Sequence, residues 1–178
     1  SGILIFATNK FMEYNAEYEH VLENISKITY IKTNSIKVAR TVVNMCAAGG
    51  NVAGSGHPEI VETMKQYIVD IGVNIGDEPE YNQNRNQLAS LANEVDKFVK
   101  LYEEITGICG EDYSSAASEQ AARLDASTSF LTTNADNLLT YEIGRSEALQ
   151  ETIRQNSQKL FSALVAVITV SIFVAVFL

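Results

Sequence analysis

The sequence predicts an all-α protein: an up-down-up-down four-helix bundle whose last helix continues into a transmembrane helix. Three observations predict it. Apolar residues recur at alternating steps of three and four through most of the chain, the spacing of one face of a helix. Both prolines fall where a helix would begin. Seven of the ten glycines (Gly49, Gly50, Gly54, Gly56, Gly76, Gly107 and Gly110) fall where one would end, or in the link that follows. The closing run "LFSALVAVITVSIFVAVFL", residues 160–178, holds no charge in a chain whose net charge is -9.

This punctuation divides the chain into segments near 10–48, 58–75, 79–108 and 114–159. The first carries Phe11, Tyr14, Tyr18, Val21, Ile25 and Ile28 on a narrow seam of the bundle type. Pro58 opens the second, with Val61, Met64, Ile68, Ile71 and Ile75. Pro79 opens the third, with Leu88, Leu91, Val95, Phe98, Tyr102 and Ile105. The fourth seam is sparser: Leu124, Leu131, Leu138, Leu149 and Ile153 stand among small and polar residues. No strand alternation or hairpin signal competes. Lengths test the topology. At helical rise the first and third segments climb about 55 and 43 Å, and the second and fourth descend about 27 and 70 Å. Ascents and descents cancel, so the bundle closes on one membrane surface near Lys10 and Lys159.

Leu160–Leu178 spans roughly 28 Å as a helix, close to the hydrocarbon thickness of a bilayer. It is flanked by Lys159 and lies too far from the N-terminus for a signal peptide. At the other end, "SGILIFATNK" is apolar from Ile3 to Ala7 and stops at Thr8, Asn9 and Lys10. That stretch is too short to cross a bilayer alone. Residues 1–9 read as the end of a first transmembrane helix, with a merely adhesive N-terminus as the alternative. Residues 10–159 form one domain and 160–178 a second transmembrane helix.

Acidity excludes nucleic acid as a partner, since such proteins neutralise phosphates with a basic surface. Cytoplasmic loops beside spans are rich in Lys and Arg. This polar stretch is not, which places residues 10–159 outside the cell, with the membrane as one partner. His20 and His57 have no acid or Cys partner at metal-ligand spacing, so no metal is expected. "GGNVAGSG" lacks the Lys and the strand–helix context of a phosphate-binding loop. The segment is read as non-enzymatic and free of cofactors, and His57, just before Pro58, as a residue that helps start the second helix.

A span end, a long helix, two shorter helices, a long helix and a span together resemble the extracytoplasmic four-helix sensor region of bacterial transmembrane receptors, the sensor histidine kinases and the methyl-accepting chemoreceptors. The stretch "EYEHVLENISKITYIKTNSIKVARTVVNM" is more similar to the histidine kinases. The resemblance covers essentially the whole chain and is architectural. It implies a homodimer, sensing of a small-molecule or protein ligand outside the cell, and transmission through the last helix to a cytoplasmic signalling domain of the same chain. Any kinase chemistry would lie there. From Arg145 to Leu178 there is no Gly or Pro, so the last helix and the span read as one stiff rod suited to carrying a slide or rotation.

Extending the first seam past Ile28 predicts inward positions at Lys32, Ser35, Ala39, Val42 and Cys46. Polar groups on a seam are costly unless paired, wet or used. The height arithmetic sets Lys32 level with Arg85, Asn134 and Asn137, with Lys37, Arg40 and Lys65 just above. Lys32, Ser35, Arg40, Arg85, Asn134 and Asn137 are therefore the candidate ligand-binding residues, an anion pocket for a carboxylate. The commoner role of Lys and Arg on a bundle surface is to snorkel or to pair with a neighbouring acid. The aspartate-type chemoreceptors use arginines at different spacing, so none of their roles carries over.

Cys46 and Cys109 fall on their seams near the far tip. An extracellular location allows a disulfide between them, although helical rise sets Cys109 roughly 15 Å beyond Cys46; two buried thiols are the alternative. A competing class for the whole chain is a tail-anchored helical protein of the membrane-fusion type, and a scaffold that only dimerises is a third.

Overall fold

The computed structural model describes residues 2–48, 57–108 and 115–177. Four α-helices account for nearly all of them: α1, Gly2–Ala47; α2, His57–Ile75; α3, Asn82–Ile108; and α4, Ser115–Phe177. A single 3-10 turn, Pro79–Tyr81, leads into α3. No strand occurs among the described residues. The all-helical class and the division into four segments thus stand as expected. The apolar start belongs to the same helix as the first seam, and the fourth segment and the uncharged run are one helical element.

Local chemistry accounts for the helix ends. Pro58 sits in the first turn of α2, where its missing N–H has no intrahelical acceptor to lose, and Glu59 places a carboxylate against the helix N-terminus. α2 stops at Ile75 because Gly76 turns left-handed at φ 72° and donates its N–H to the Gly72 carbonyl at 3.3 Å. Pro79 then fixes the backbone at the start of the 3-10 turn. Arg85 ties this corner down from α3. Its guanidinium donates to the carbonyls of Gly76 at 2.7 Å and Glu78 at 3.0 Å, and it also contacts the Asn82 amide oxygen.

The chain divides into two compact units, one of residues Glu23–Ile143 and one of Ser1–Leu22 with Gly144–Leu178. In the first, all four helices contribute to a common apolar core. Ile28, Ile31, Val38 and Val42 come from α1, and Met64, Ile71 and Ile75 from α2. Leu91, Phe98 and Ile105 come from α3, and Leu124, Leu131 and Leu138 from α4. The side chains of Phe98, Ile28, Met64 and Leu131 are fully buried, each contributing about 1.5–3 kcal/mol relative to exposure. The expected seams of α2 and α3 are buried almost residue for residue, with Ile68 alone half-buried. On α1 the buried stripe departs from the expected seam by one residue at two places, Asn24 for Ile25 and Ile31 for Lys32, and returns to it at Ser35, Ala39, Val42 and Cys46.

Polar residues along these helices turn to their own backbone. Thr29 donates to the Ile25 carbonyl at 2.7 Å, Asn34 to Tyr30 at 3.0 Å and Thr128 to Leu124 at 2.8 Å. That back-bonding satisfies Thr128, Thr133 and Thr140 along the Ser- and Thr-rich stretch of α4, while the buried Ser127 hydroxyl has no hydrogen-bond partner.

In the second unit Val21 and Leu149 are buried, and Arg145 donates to the Glu17 carboxylate at 2.9 Å. Every described side chain from Phe161 to Ala175 is exposed. α4 is the one helix among the described residues long and apolar enough to cross a membrane.

Candidate functional site

Within the unit of residues Glu23–Ile143 the core is interrupted by polar layers. Glu142 of α4 is fully buried. One of its carboxylate oxygens accepts from the Asn24 amide of α1 at 3.1 Å, the other from the Asn84 amide of α3 at 2.5 Å. Asn24 and Asn84 are themselves buried. Asn74 of α2 completes the layer, donating to the Asn24 amide oxygen at 3.0 Å and to Glu23 at 3.3 Å. Side chains from all four helices thus meet around one carboxylate. Beside it, Gln83 donates to the Tyr141 hydroxyl at 3.1 Å.

A second layer is ionic and aromatic. Lys27 pairs with Asp70 at 2.8 Å and with Glu23 at 2.7 Å, and its ammonium lies 5.4 Å from the Tyr67 ring centroid. Tyr67 meets Tyr30 edge to face at 5.0 Å. Partial burial works against the Lys27 charge, but the hydrogen bonds to Asp70 and Glu23 outweigh it and raise its pKa. The same ammonium, with the Gln66 amide, holds the Asp70 carboxyl below the ordinary carboxylate range.

The residues read from the sequence as a pocket are distributed as follows. Lys32 is engaged by Asp136 at 2.6 Å, between the expected Asn134 and Asn137 of α4. Ser35 is fully buried and donates to the Lys32 carbonyl at 2.9 Å, within its own helix. Asn134 likewise donates to the Phe130 carbonyl at 2.9 Å, and Asn137 is exposed. Arg85 is committed to the α2–α3 corner. Its neighbour Asn84 meets α4 at residue 142, six residues from the partner of Lys32, or about 9 Å along the helix.

Arg40 is exposed and lines a groove of about 360 Å³ between α1 and α4 with Ile36, Asn44, Asp125 and Thr128. Of the six, Lys32 reaches α4 at Asp136, while Ser35, Asn134 and Arg85 are engaged within their own helix or corner; Arg40 is exposed with no charged partner among the described residues.

Higher along the core, Cys46 is buried and disulfide-bonded; Cys109, the other cysteine of the sequence, lies outside the described residues. His57 is buried at the start of α2, and burial, reinforced by the Lys37 charge, lowers its pKa. No group of three or more His, Cys, Asp or Glu side chains that could hold a metal ion occurs among the described residues.

The residues that sequence reasoning missed are Glu142, Asn24 and Asn84. Their signal was present as spacing. Leu131, Ala135, Leu138, Glu142, Arg145 and Leu149 continue the three-and-four rhythm, as do Val21, Asn24 and Ile28 on α1, and Asn84 and Leu88 on α3. An ionisable residue on such a stripe is itself the mark of a buried polar layer. Chemically, this arrangement holds four helices in one mutual register; it presents no nucleophile with a neighbouring base. No family model matches the chain, and no curated protein or solved structure matches it either.

Proposed function

We propose that the chain is the extracytoplasmic sensor region of a membrane-bound bacterial receptor, of the sensor histidine kinase type. In this reading residues 10–159 form an up-down-up-down bundle outside the cell. A ligand or partner protein shifts its helices, and α4 carries that shift to a cytoplasmic output domain. The observation that carries the reading is α4 itself, one helix from Ser115 to Phe177 that supplies Leu124, Leu131 and Leu138 to a shared core and continues into an uncharged stretch exposed from Phe161 to Ala175.

The pairings between helices support the topology. Asn24 and Lys32 of α1 take partners at residues 142 and 136 of α4, and Asn24 and Lys27 take partners at residues 74 and 70 of α2. Each pair of positions runs in opposite directions, as neighbours in such a bundle must. The disulfide at Cys46 supports an oxidising compartment. The polar layer around Glu142 suits a sensor because such networks have discrete, alternative pairings rather than graded ones. Arg40 in its groove is the residue best placed to meet an anionic ligand.

The test is to recover the native polypeptide from membranes and read its intact mass and the peptides that follow Leu178. A phospho-accepting His and an ATP site are expected within the next few hundred residues. A long helical hairpin there would assign the chain to the chemoreceptors instead. A polypeptide ending at Leu178 would mark a tail anchor and overturn the receptor reading.

A further inference from the structure

Within the unit of residues Ser1–Leu22 and Gly144–Leu178, α1 and α4 enclose a cleft of about 510 Å³. One end is polar and basic: Lys10 and Lys159 stand on opposite walls, with Tyr14 and Asn156 beside them. The other end is apolar, lined by Phe6 and Leu160, and the small side chains of Ala7 and Ala163 leave its width open. Residues 1–9 and 160–178 contain no charged side chain, so the two lysines are the last charges on both helices, and both line this one cleft.

We propose that this cleft is a binding site for one anionic phospholipid of the membrane, its phosphate between Lys10 and Lys159 and an acyl chain along Phe6 and Leu160. The site rests on the reading of residues 160–178 as a membrane span. The chemistry selects this occupant. A free anion would satisfy the lysines but leave the apolar wall against water, whereas a neutral hydrocarbon would bury the wall and leave two cations without a partner. A zwitterionic lipid brings its own cation to the basic end. Lys10 already shares its charge with Glu13 at 2.8 Å, while Lys159 is exposed and has no acid partner among the described residues. Lys159 therefore supplies most of the discrimination, and Lys10 and Tyr14 orient the headgroup. A lipid held in this way would tie the level of α1 to that of α4 at the membrane surface.

The experiment uses the full 178-residue chain in nanodiscs of equal phosphatidylglycerol and phosphatidylcholine, with lipids that stay bound on release counted by native mass spectrometry. One phosphatidylglycerol per chain is expected, retained about fivefold over phosphatidylcholine, the effect of one surface lysine. Lys159→Gln should bring the ratio to parity and Lys159→Arg should keep it. Lys100→Gln, a charge in the other unit, should leave it unchanged. Equal retention of the two lipids by the native chain, or a preference that survives Lys159→Gln, overturns the site. A drop of equal size in Lys100→Gln, or displacement of the lipid by inorganic phosphate, also overturns it. A chain that does not enter the bilayer at all overturns the span together with the site, which separates the two failures.

Discussion

Glu142 shows how one side chain can govern the packing of several helices. A carboxylate with no exposure is expensive to bury, and here its desolvation is offset by two amide donors from different helices rather than by a cation. Removing it leaves the Asn24 and Asn84 amides buried without acceptors, so Glu142→Leu is expected to cost about 2–4 kcal/mol in urea unfolding. The triple substitution to Leu at 24, 84 and 142 should recover much of that loss, because no polar group is then stranded. If the network were only a register device, the triple variant would be stable but less uniquely packed, visible as poorer dispersion of core methyl signals in NMR. A single variant with unchanged stability would show that the layer is wet and carries no energy. Lys32 is a contrast at the same scale. Its pairing with Asp136 is half exposed, and such pairs contribute little.

Among the elements, the α2–α3 corner has the tightest local constraints. Gly76 sits at φ 72°, where a side chain is strained, and a Cβ added there would approach the Glu78 carboxylate oxygen at 2.8 Å. Gly76→Ala is therefore expected to lower the unfolding free energy by about 1–2 kcal/mol. Gly107→Ala is the control: a Cβ there meets nothing within 4 Å, so a near-neutral effect is expected. Equal losses at the two positions would mean that the corner does not depend on the left-handed residue. The same corner explains why Arg85, an attractive ligand-binding residue by height arithmetic, is committed elsewhere. Two carbonyls of the turn and the Asn82 amide oxygen converge on its guanidinium, and helical spacing contains no information about a turn's carbonyls.

At the scale of the whole molecule, the shared core of α1, α2, α3 and α4 makes stability a collective property, and the disulfide at Cys46 adds a covalent constraint at one end of that core. Reduction is expected to remove about 2–4 kcal/mol, the usual effect of losing a native disulfide, read as a lower Tm with dithiothreitol than without. A Tm indifferent to reductant, and equally indifferent to Cys46→Ser, would mean that the bond contributes nothing to the folded state. For the proposed sensor this matters, because a loosened far end would let ligand-driven shifts dissipate locally instead of passing along α4.

The helical class, the four segments, nearly every core residue of α2 and α3, and the uncharged run of α4 can all be read from the amino-acid order. All of these follow from local rules: period, proline and glycine punctuation, and uninterrupted hydropathy over one helix. Which polar residues share a layer emerges from the packing of the helices alone. Glu142 lies 118 residues from Asn24 and 58 from Asn84, and a hydrogen bond between distant segments depends on the rotation of each helix about its axis. A shift of one residue on α1, from Lys32 to Ile31, is enough to exchange a buried position for a half-exposed one, since one residue turns a helix by about 100°. The candidate residues were therefore legible as positions along the chain, while their partners were set by rotation and register, which arise only when four helices pack at once.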